Sequence, residues 1–431
     1  VTAAPSERCR TDLLAQLALA AIVFGAALPP IVAGDLGPKA FDHRFFHLPL
    51  VRAWSESWPM VDLRDYGSAT GPLYHWIMAG IAKAIGSGDA LETSARLQLV
   101  SACFGAGAAV VLFRAVRRTL DAPAAFLAGA TLACSPYLLG NAIWMMTDNL
   151  SLLFIAAVVG SAAFAPQRDG RILGEGALAA LATATRQINP WLIAPIVAGA
   201  LLRGEGLRHH LRATALACAM PAAVLAGFLA LWGGLVPPRF RELHAAGANP
   251  AAIGFALLLV AAYGWPMLLA CGDASRRLLR RPGLLAVVAL VGCALAAIGP
   301  SFASLEAGRN GGWVWRIVAA LPTIADRSPL IVLGGAAGAI MLAILLAQAR
   351  LAGRAGESLV VLASFAGFAA AHAANSQVFQ RYYDPMVLAT LAWLAACTRS
   401  RGDEPARATR RRRIALAIVA AMQAGFALAV L

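Results

Sequence analysis

Apolar runs of about 18 residues or more recur along the whole chain, each long enough to cross a hydrocarbon core. This recurrence restricts the fold to an all-α, polytopic membrane protein. Composition agrees. Of 431 residues, 60% are hydrophobic and 13% charged, against about 25% charged in a soluble domain. No soluble domain, low-complexity tail or short-period repeat breaks the pattern, so residues 1–431 read as one membrane-embedded domain. The first run, 13–33, is too long for a secretory signal, lacks a clear small-residue cleavage site and is followed by many more spans.

The formal net charge is +14, which taken alone would suit nucleic acid. Its distribution argues against that partner. Arginines gather in alternate gaps between apolar runs: Arg114, Arg117 and Arg118; Arg168 and Arg171; Arg203, Arg208 and Arg212; Arg276, Arg277, Arg280 and Arg281; Arg350 and Arg354; and the run 410–413. Alternation of this kind is the positive-inside signature, and the basic excess reads as topology plus attraction to anionic lipid headgroups. The seven cysteines form no CxxC pair and lie mostly inside apolar runs, so they read as small buried residues rather than disulfides or metal ligands. Abundant alanine, and arginine in large excess over lysine, suggest a GC-rich bacterial source.

Run length and loop charge together give about thirteen spans. They centre on 13–33, 95–113, 123–140, 149–165, 173–185, 190–202, 213–235, 252–271, 284–300, 329–349, 359–373, 385–398 and 414–431. With the N-terminus inside, every Arg-rich gap falls on the cytoplasmic side. The first outer loop, 34–94, is the longest. Its end, 71–85, is apolar but short and carries Tyr74, His75 and Trp76, which predicts an interfacial or re-entrant helix.

The remaining polar clusters fall in the outer loops. The first, Phe41-Asp-His-Arg-Phe-Phe-His-Leu-Pro49, follows the first span and brings Asp42, His43, Arg44 and His47 to a membrane boundary. Ionisable groups are costly there, so the cluster is a candidate site. Others are Asp62, Arg64 and Asp65; Thr147-Asp-Asn149; Arg186-Gln-Ile-Asn189; Arg239, Arg241, Glu242 and His244; Arg309 and Arg316; and Gln377 with Gln380-Arg-Tyr-Tyr-Asp384. Arginines can hold a phosphate while a carboxylate takes a proton from an attacking hydroxyl. Simpler roles stand beside these. Asp42 and Asp148 also suit helix caps, Arg186 and Arg381 suit snorkelling cations, and the aromatic residues suit an interfacial belt. His43 and His47 have the spacing of paired metal ligands, but no local third ligand except Asp42, so no obligatory metal is expected.

These segments resemble the GT-C superfamily of polytopic glycosyltransferases that use polyprenyl-phosphate sugars. Within it the likeness is to the dolichyl-phosphate-glucose α-1,2-glucosyltransferases. That family's Asp-Glu pair and following Phe-His-x-Pro look like the stretch 41–49 here, without the Glu. Its Thr-x-Pro-Gly-Leu-Tyr element is similar to Thr70-Gly-Pro-Leu-Tyr74. Its Tyr-Thr-Glu is similar to Met146-Thr-Asp148, its Phe-Arg-Gln-Thr-Asn to Thr185-Arg-Gln-Ile-Asn189, and its Arg-Tyr-Phe-x-x-Pro to Arg381-Tyr-Tyr-Asp-Pro385. Aligned on His47-Leu-Pro49, the family's acid falls on His43, and a shift of one residue puts it on Asp42. Asp62, Asp65 and Asp148 remain further candidates.

The resemblance implies an inverting glycosyltransferase of the GT-C type that moves a hexose from a polyprenyl-phosphate donor to a glycan or lipid-linked acceptor. Asp42 and His43 would be catalytic. Arg186, Arg381, Arg241 and His244 would hold the donor phosphate, and His47, Asp148, Gln187, Asn189 and Tyr382 would contact substrate. No cofactor is expected beyond the lipid-linked donor. The setting would be a bacterial inner membrane, with the site facing the periplasm or exterior. Protein or lipid A are other acceptors within the superfamily. A secondary transporter or lipid flippase is the alternative from another class.

Overall fold

The computed structural model of the chain describes residues 5–34, 37, 40–86, 90–203, 208–242, 247–301, 310–402 and 404–431. Helix α1 spans Pro5–Ala33 and leads through a π-helical turn, His43–His47, into α2, Leu48–Ser57, and α3, Leu73–Ile85. There follow α4 (Ala90–Val116), α5 (Ala122–Ala133), α6 (Pro136–Ile143), α7 (Asp148–Phe164), α8 (Asp169–Thr185), α9 (Ile193–Arg203), α10 (Leu211–Trp232) and α11 (Ala251–Gly264). The last part holds α12 (Gly272–Leu279), α13 (Pro282–Ala297), α14 (Trp313–Ala320), α15 (Pro329–Leu351), α16 (Ala355–Ala373), α17 (Gln380–Cys397) and α18 (Ala406–Val430). Two-residue strands β1, Asn310–Gly311, and β2, Val378–Phe379, pair in parallel.

The chain is all-α apart from one two-residue strand pair, and it carries many apolar helices suited to a polytopic membrane protein. Seven helices among the described residues are long and apolar enough to cross a membrane: α1, α4, α10, α11 with its 3-10 extension, α15, α16 and α18. Two bent pairs, α5 with α6 at 60° and α12 with α13 at 100°, raise the number to nine. The expected thirteen included 149–165, 173–185, 190–202 and 385–398. Those stretches form α7, α8, α9 and α17, of 17, 17, 11 and 18 residues. Run length alone does not separate a helix sheathed by its neighbours from one facing lipid. Helix α17 shows the difference. It is buried without interruption from Tyr383 to Cys397, Asp384 included, as befits a helix surrounded by protein. In α1, α10 and α18, by contrast, only 22%, 22% and 28% of the apolar stretch is buried.

Polar contacts separate the bundle into two ends. At one end, Arg117 pairs with Asp12 at 2.7 Å and Arg413 with Asp121 at 3.1 Å. Arg399 reaches the Thr119 carbonyl, Arg354 reaches the Arg399 carbonyl, and Arg401 pairs with Glu357. These are the basic gaps that the charge alternation assigns to one side. At the other end stand the π-turn, the start of α7, the end of α8 and the start of α17. Helix α4 connects the two. Ser94 in its first turns meets His43, and its 27 residues carry the chain about 40 Å to the basic end.

The two interfacial helices of the first loop pack on this second end. Helix α3 buries Tyr74, His75, Met78, Ala79 and Ala82 against α2 and the start of α4. Between them the chain passes Gly71, whose N–H donates to the Thr185 carbonyl at 3.0 Å. A Cβ at Gly71 would overlap the Ala184 carbonyl, so only glycine lets the loop lie against the end of α8. A similar close approach joins α15 to α11, where Gly334 and Gly338 meet Leu258 and the Leu257 backbone, the small-residue packing familiar between membrane helices.

Candidate active site

Each charged residue of the site stands at the end of a helix. Asp148 is the first residue of α7, where the helix dipole favours an anion. Arg186 caps the C-terminus of α8, where the dipole favours a cation. Arg381 sits in the first turn of α17, where the dipole opposes it, and its partner must come from elsewhere in the chain. Asp42 is the N-cap of the π-turn but makes no side-chain cap bond, which leaves its carboxylate free to serve as that partner.

Arg381 Nη2 lies 3.0 Å from Asp42 Oδ2, across 339 residues of sequence. Arg186 Nη1 is bonded to Asp148 Oδ1. Tyr382 joins the two pairs. The Arg186 guanidinium lies 4.4 Å from the centre of its ring, and Arg381 donates to its hydroxyl at 3.2 Å. Cation–π contact of this kind holds a guanidinium flat and desolvated. Two carboxylates and two arginines thus form one neutral cluster.

The cluster lines a cavity of about 260 Å³. Asp42, His47, Asp148, Arg186, Arg381 and Tyr382 all contribute to its wall. Phe41, Phe46, Phe240 and Phe379 give it an apolar flank, while Ser68, Thr70, Thr147 and Gln377 add hydroxyl and amide groups. A smaller cavity of about 50 Å³ shares Asp148, Arg186, Arg381 and Tyr382 and runs back to Asn141, Asn149, Asn189 and His372. Around it Asp148 Oδ2, Arg381 Nε, Asn141 Nδ2 and Asn149 Oδ1 are buried with no hydrogen-bond partner among the described residues. Buried polar atoms without partners are uncommon, and they leave hydrogen-bonding capacity for a bound polar group.

His47 is the fixed wall of this space. Its Nδ1 lies 2.8 Å from His75 Nε2, and His75 Nδ1 lies 2.6 Å from Tyr66 Oη. The phenol in turn donates to the Gly71 carbonyl at 2.9 Å. Burial pushes His47 down to about 4 and His75 well below the ordinary histidine value, against the opposing pull of Asp42 and Asp148 on His47. Both rings are therefore neutral near pH 7. His75 has no local sequence signal tying it to His47, 28 residues away.

Of the other residues singled out from the sequence, those that the structure describes stand apart from this cavity wall. His43 is buried against Ser94 at 3.3 Å and does not line the cavity. Burial pushes His43 down to about 4. Arg241 is bonded to the Trp232 carbonyl next to Gly233. His244 lies outside the described residues. Gln187 donates to the Ala69 carbonyl at 3.2 Å and so ties the α8 end to the loop before α3. Asn189 donates to Ser151 and to the Ala182 carbonyl, both at 2.8 Å, and borders the smaller cavity. Asp62 accepts from the Arg64 backbone N–H within its own turn. Among the described residues no three His, Cys, Asp or Glu side chains gather closely enough to hold a metal ion.

Comparison with known proteins gives one match. Residues 69–232 match the model of a family described as dolichyl-phosphate-mannose-protein mannosyltransferase. The matched stretch begins at the Gly71 loop, ends with α10 and contains Asp148 and Arg186, while Asp42 and Arg381 lie outside it. No curated protein and no solved structure matches the chain. The match supports a membrane glycosyltransferase of the GT-C superfamily served by a polyprenyl-phosphate sugar. It does not single out the α-1,2-glucosyltransferases.

Proposed function

We propose that this chain is an inverting glycosyltransferase that moves a hexose from a polyprenyl-phosphate sugar to a hydroxyl acceptor at the outer face of a bacterial inner membrane. The observation that carries the reading is the convergence of Asp42–Arg381 and Asp148–Arg186 on one cavity from four separate segments. The apolar flank of phenylalanines suits an isoprenoid phosphate, whose tail stays in lipid while its head enters the polar cavity.

Exposure divides the two acids. The Asp42 side chain is 32% exposed and that of Asp148 is 12%. Asp42 can meet an incoming hydroxyl, whereas Asp148 holds Arg186 in place. In the proposed step the acceptor oxygen attacks the anomeric carbon and its proton passes to Asp42. The bond from that carbon to the phosphate oxygen breaks, and its electron pair leaves with the phosphate. Charge moves with the chemistry. The donor phosphodiester gains a negative charge as Asp42 loses one, so the cation that faced Asp42 is released towards the leaving group. Arg381 and Arg186 thereby stabilise the charge that develops, without a general acid. A leaving group opposite the attacking oxygen gives inversion.

A glycan or lipid-linked acceptor is the first reading. The family match favours a second, in which the acceptor is a protein hydroxyl. Both use the same site. The test is sugar transfer from polyprenyl-phosphate hexoses in membranes. Asp42→Asn is expected to lose about 10²–10⁴-fold in rate while folding normally. Wild-type rates in a folded variant would remove Asp42 from catalysis. Arg381→Ala is expected to raise the donor KM about tenfold or more, the loss of a charge-assisted contact.

A further inference from the structure

The Tyr66–His75–His47 chain has a direction, and the direction fixes which atom faces the cavity. It begins at the Gly71 carbonyl, which can only accept. The Tyr66 hydroxyl proton is committed to that carbonyl, so at 2.6 Å His75 Nδ1 must donate to the phenol oxygen. A neutral imidazole has one N–H, so His75 Nε2 carries a lone pair and accepts from His47 Nδ1 at 2.8 Å. His47 is then bare at Nε2. That atom bonds to no described residue, and His47, only 4% exposed, lines the cavity.

We propose that His47 Nε2 is a neutral hydrogen-bond acceptor for a substrate hydroxyl, with Tyr66 and His75 as positioning residues that hold its tautomer. The chemistry of the wall supports the role. The other strong acceptors facing His47 are Asp42 and Asp148, and each already holds an arginine. Arg381 on α17 and His43 on the same π-turn oppose a positive charge on the ring, while Tyr74 meets it edge to face. Stacked on His75 at 5.0 Å between ring centres, the imidazole cannot turn without breaking the chain. A group fixed in this way prefers a hydroxyl to an ether or a hydrogen at one position of a sugar, because the analogue leaves Nε2 unpaired.

The identity of the hydroxyl rests on the glycosyltransferase reading, but the tautomer does not. In the full chain labelled with ¹⁵N-histidine in detergent, His47 is expected as the Nδ1–H form, and Tyr66→Phe is expected to weaken that preference. A wild-type ring protonated at Nε2 overturns the proposal. Binding is then measured with polyprenyl-phosphate mannose and its monodeoxy analogues. Loss of the hydroxyl that meets His47 is expected to weaken wild-type binding about 10–100-fold, and His47→Ala is expected to bind that analogue and the parent equally. If the hydroxyl belongs to the acceptor, donor binding stays insensitive in both proteins. His47→Ala then lowers transfer at saturating donor by about the same factor. A His47→Ala protein that keeps both donor discrimination and transfer refutes the role. Should that variant fail to fold, Tyr66→Phe carries the same comparison with a smaller expected change. A wild type that shows the tautomer yet neither binds nor uses any of these donors overturns the glycosyltransferase reading and, with it, the hydroxyl assignment.

Discussion

Arg186 lies deeper than Arg381, and the two ion pairs carry different burdens for that reason. Asp148 neutralises a guanidinium that is 16% exposed and pressed on Tyr382, while Asp42 neutralises one that is 30% exposed beside the cavity. Removing one partner of a buried pair leaves the other charge without solvent or counterion. Asp148→Asn is therefore expected to cost about 3–5 kcal/mol of stability, read as a clear fall in Tm in detergent. Asp42→Asn is expected to keep the wild-type Tm. Equal melting of both variants would contradict the division of roles drawn here. The sequence pointed to these four residues one at a time as polar groups in outer loops. It could not pair them, because pairing Asp42 with Arg381 depends on a contact across nearly the whole chain.

Among the elements, the loop before α3 and the end of α8 act as one unit. Gly71 bonds the Thr185 carbonyl, and Gln187 bonds the Ala69 carbonyl. Tyr66 reaches the Gly71 carbonyl, so the same junction anchors the histidine chain. Gly71→Ala forces this contact apart, since the added Cβ would overlap the Ala184 backbone. The expected result is a loss of about 1–3 kcal/mol from overpacking together with reduced sugar transfer. A variant with unchanged Tm and full activity would show that the junction is not needed. The motif Thr70-Gly-Pro-Leu-Tyr74 was legible in the sequence as an element, but its glycine was not legible as the point where two motifs touch. The short helix α3 was legible too, from its length and its Tyr-His-Trp end. That its histidine turns inward to His47 was not, because a helical position near an interface gives no hint of which buried partner lies beneath it.

For the whole molecule, the separation of basic and mixed-charge ends makes a sided prediction. Arg64, exposed in the loop between α2 and α3, and Arg407, exposed at the start of α18, stand at opposite ends of the bundle. In a cysteine-free background, Arg64→Cys is expected to react with a membrane-impermeant thiol reagent in intact cells. Arg407→Cys is expected to react only after permeabilisation. Labelling of both from the same side would end the case for an outward-facing cavity. The same separation explains why α17 matters. It is buried by its neighbours from Tyr383 to Cys397 and presents Arg381 and Tyr382 at the one end where the acids are.

The sequence by itself determined the membrane class, the helical architecture and the clustering of arginines at one end, because hydrophobic run length and loop charge are local quantities set by lipid and by the surface potential. It also marked Asp42, Asp148, Arg186 and Arg381 as groups too costly to place idly near a bilayer. Tertiary structure alone decided which helices are sheathed by protein rather than lipid, and that His43 turns to Ser94 while His47 turns to His75. It alone brought the two ion pairs to one cavity. These outcomes depend on distances between residues far apart in the chain, which packing fixes and composition does not encode.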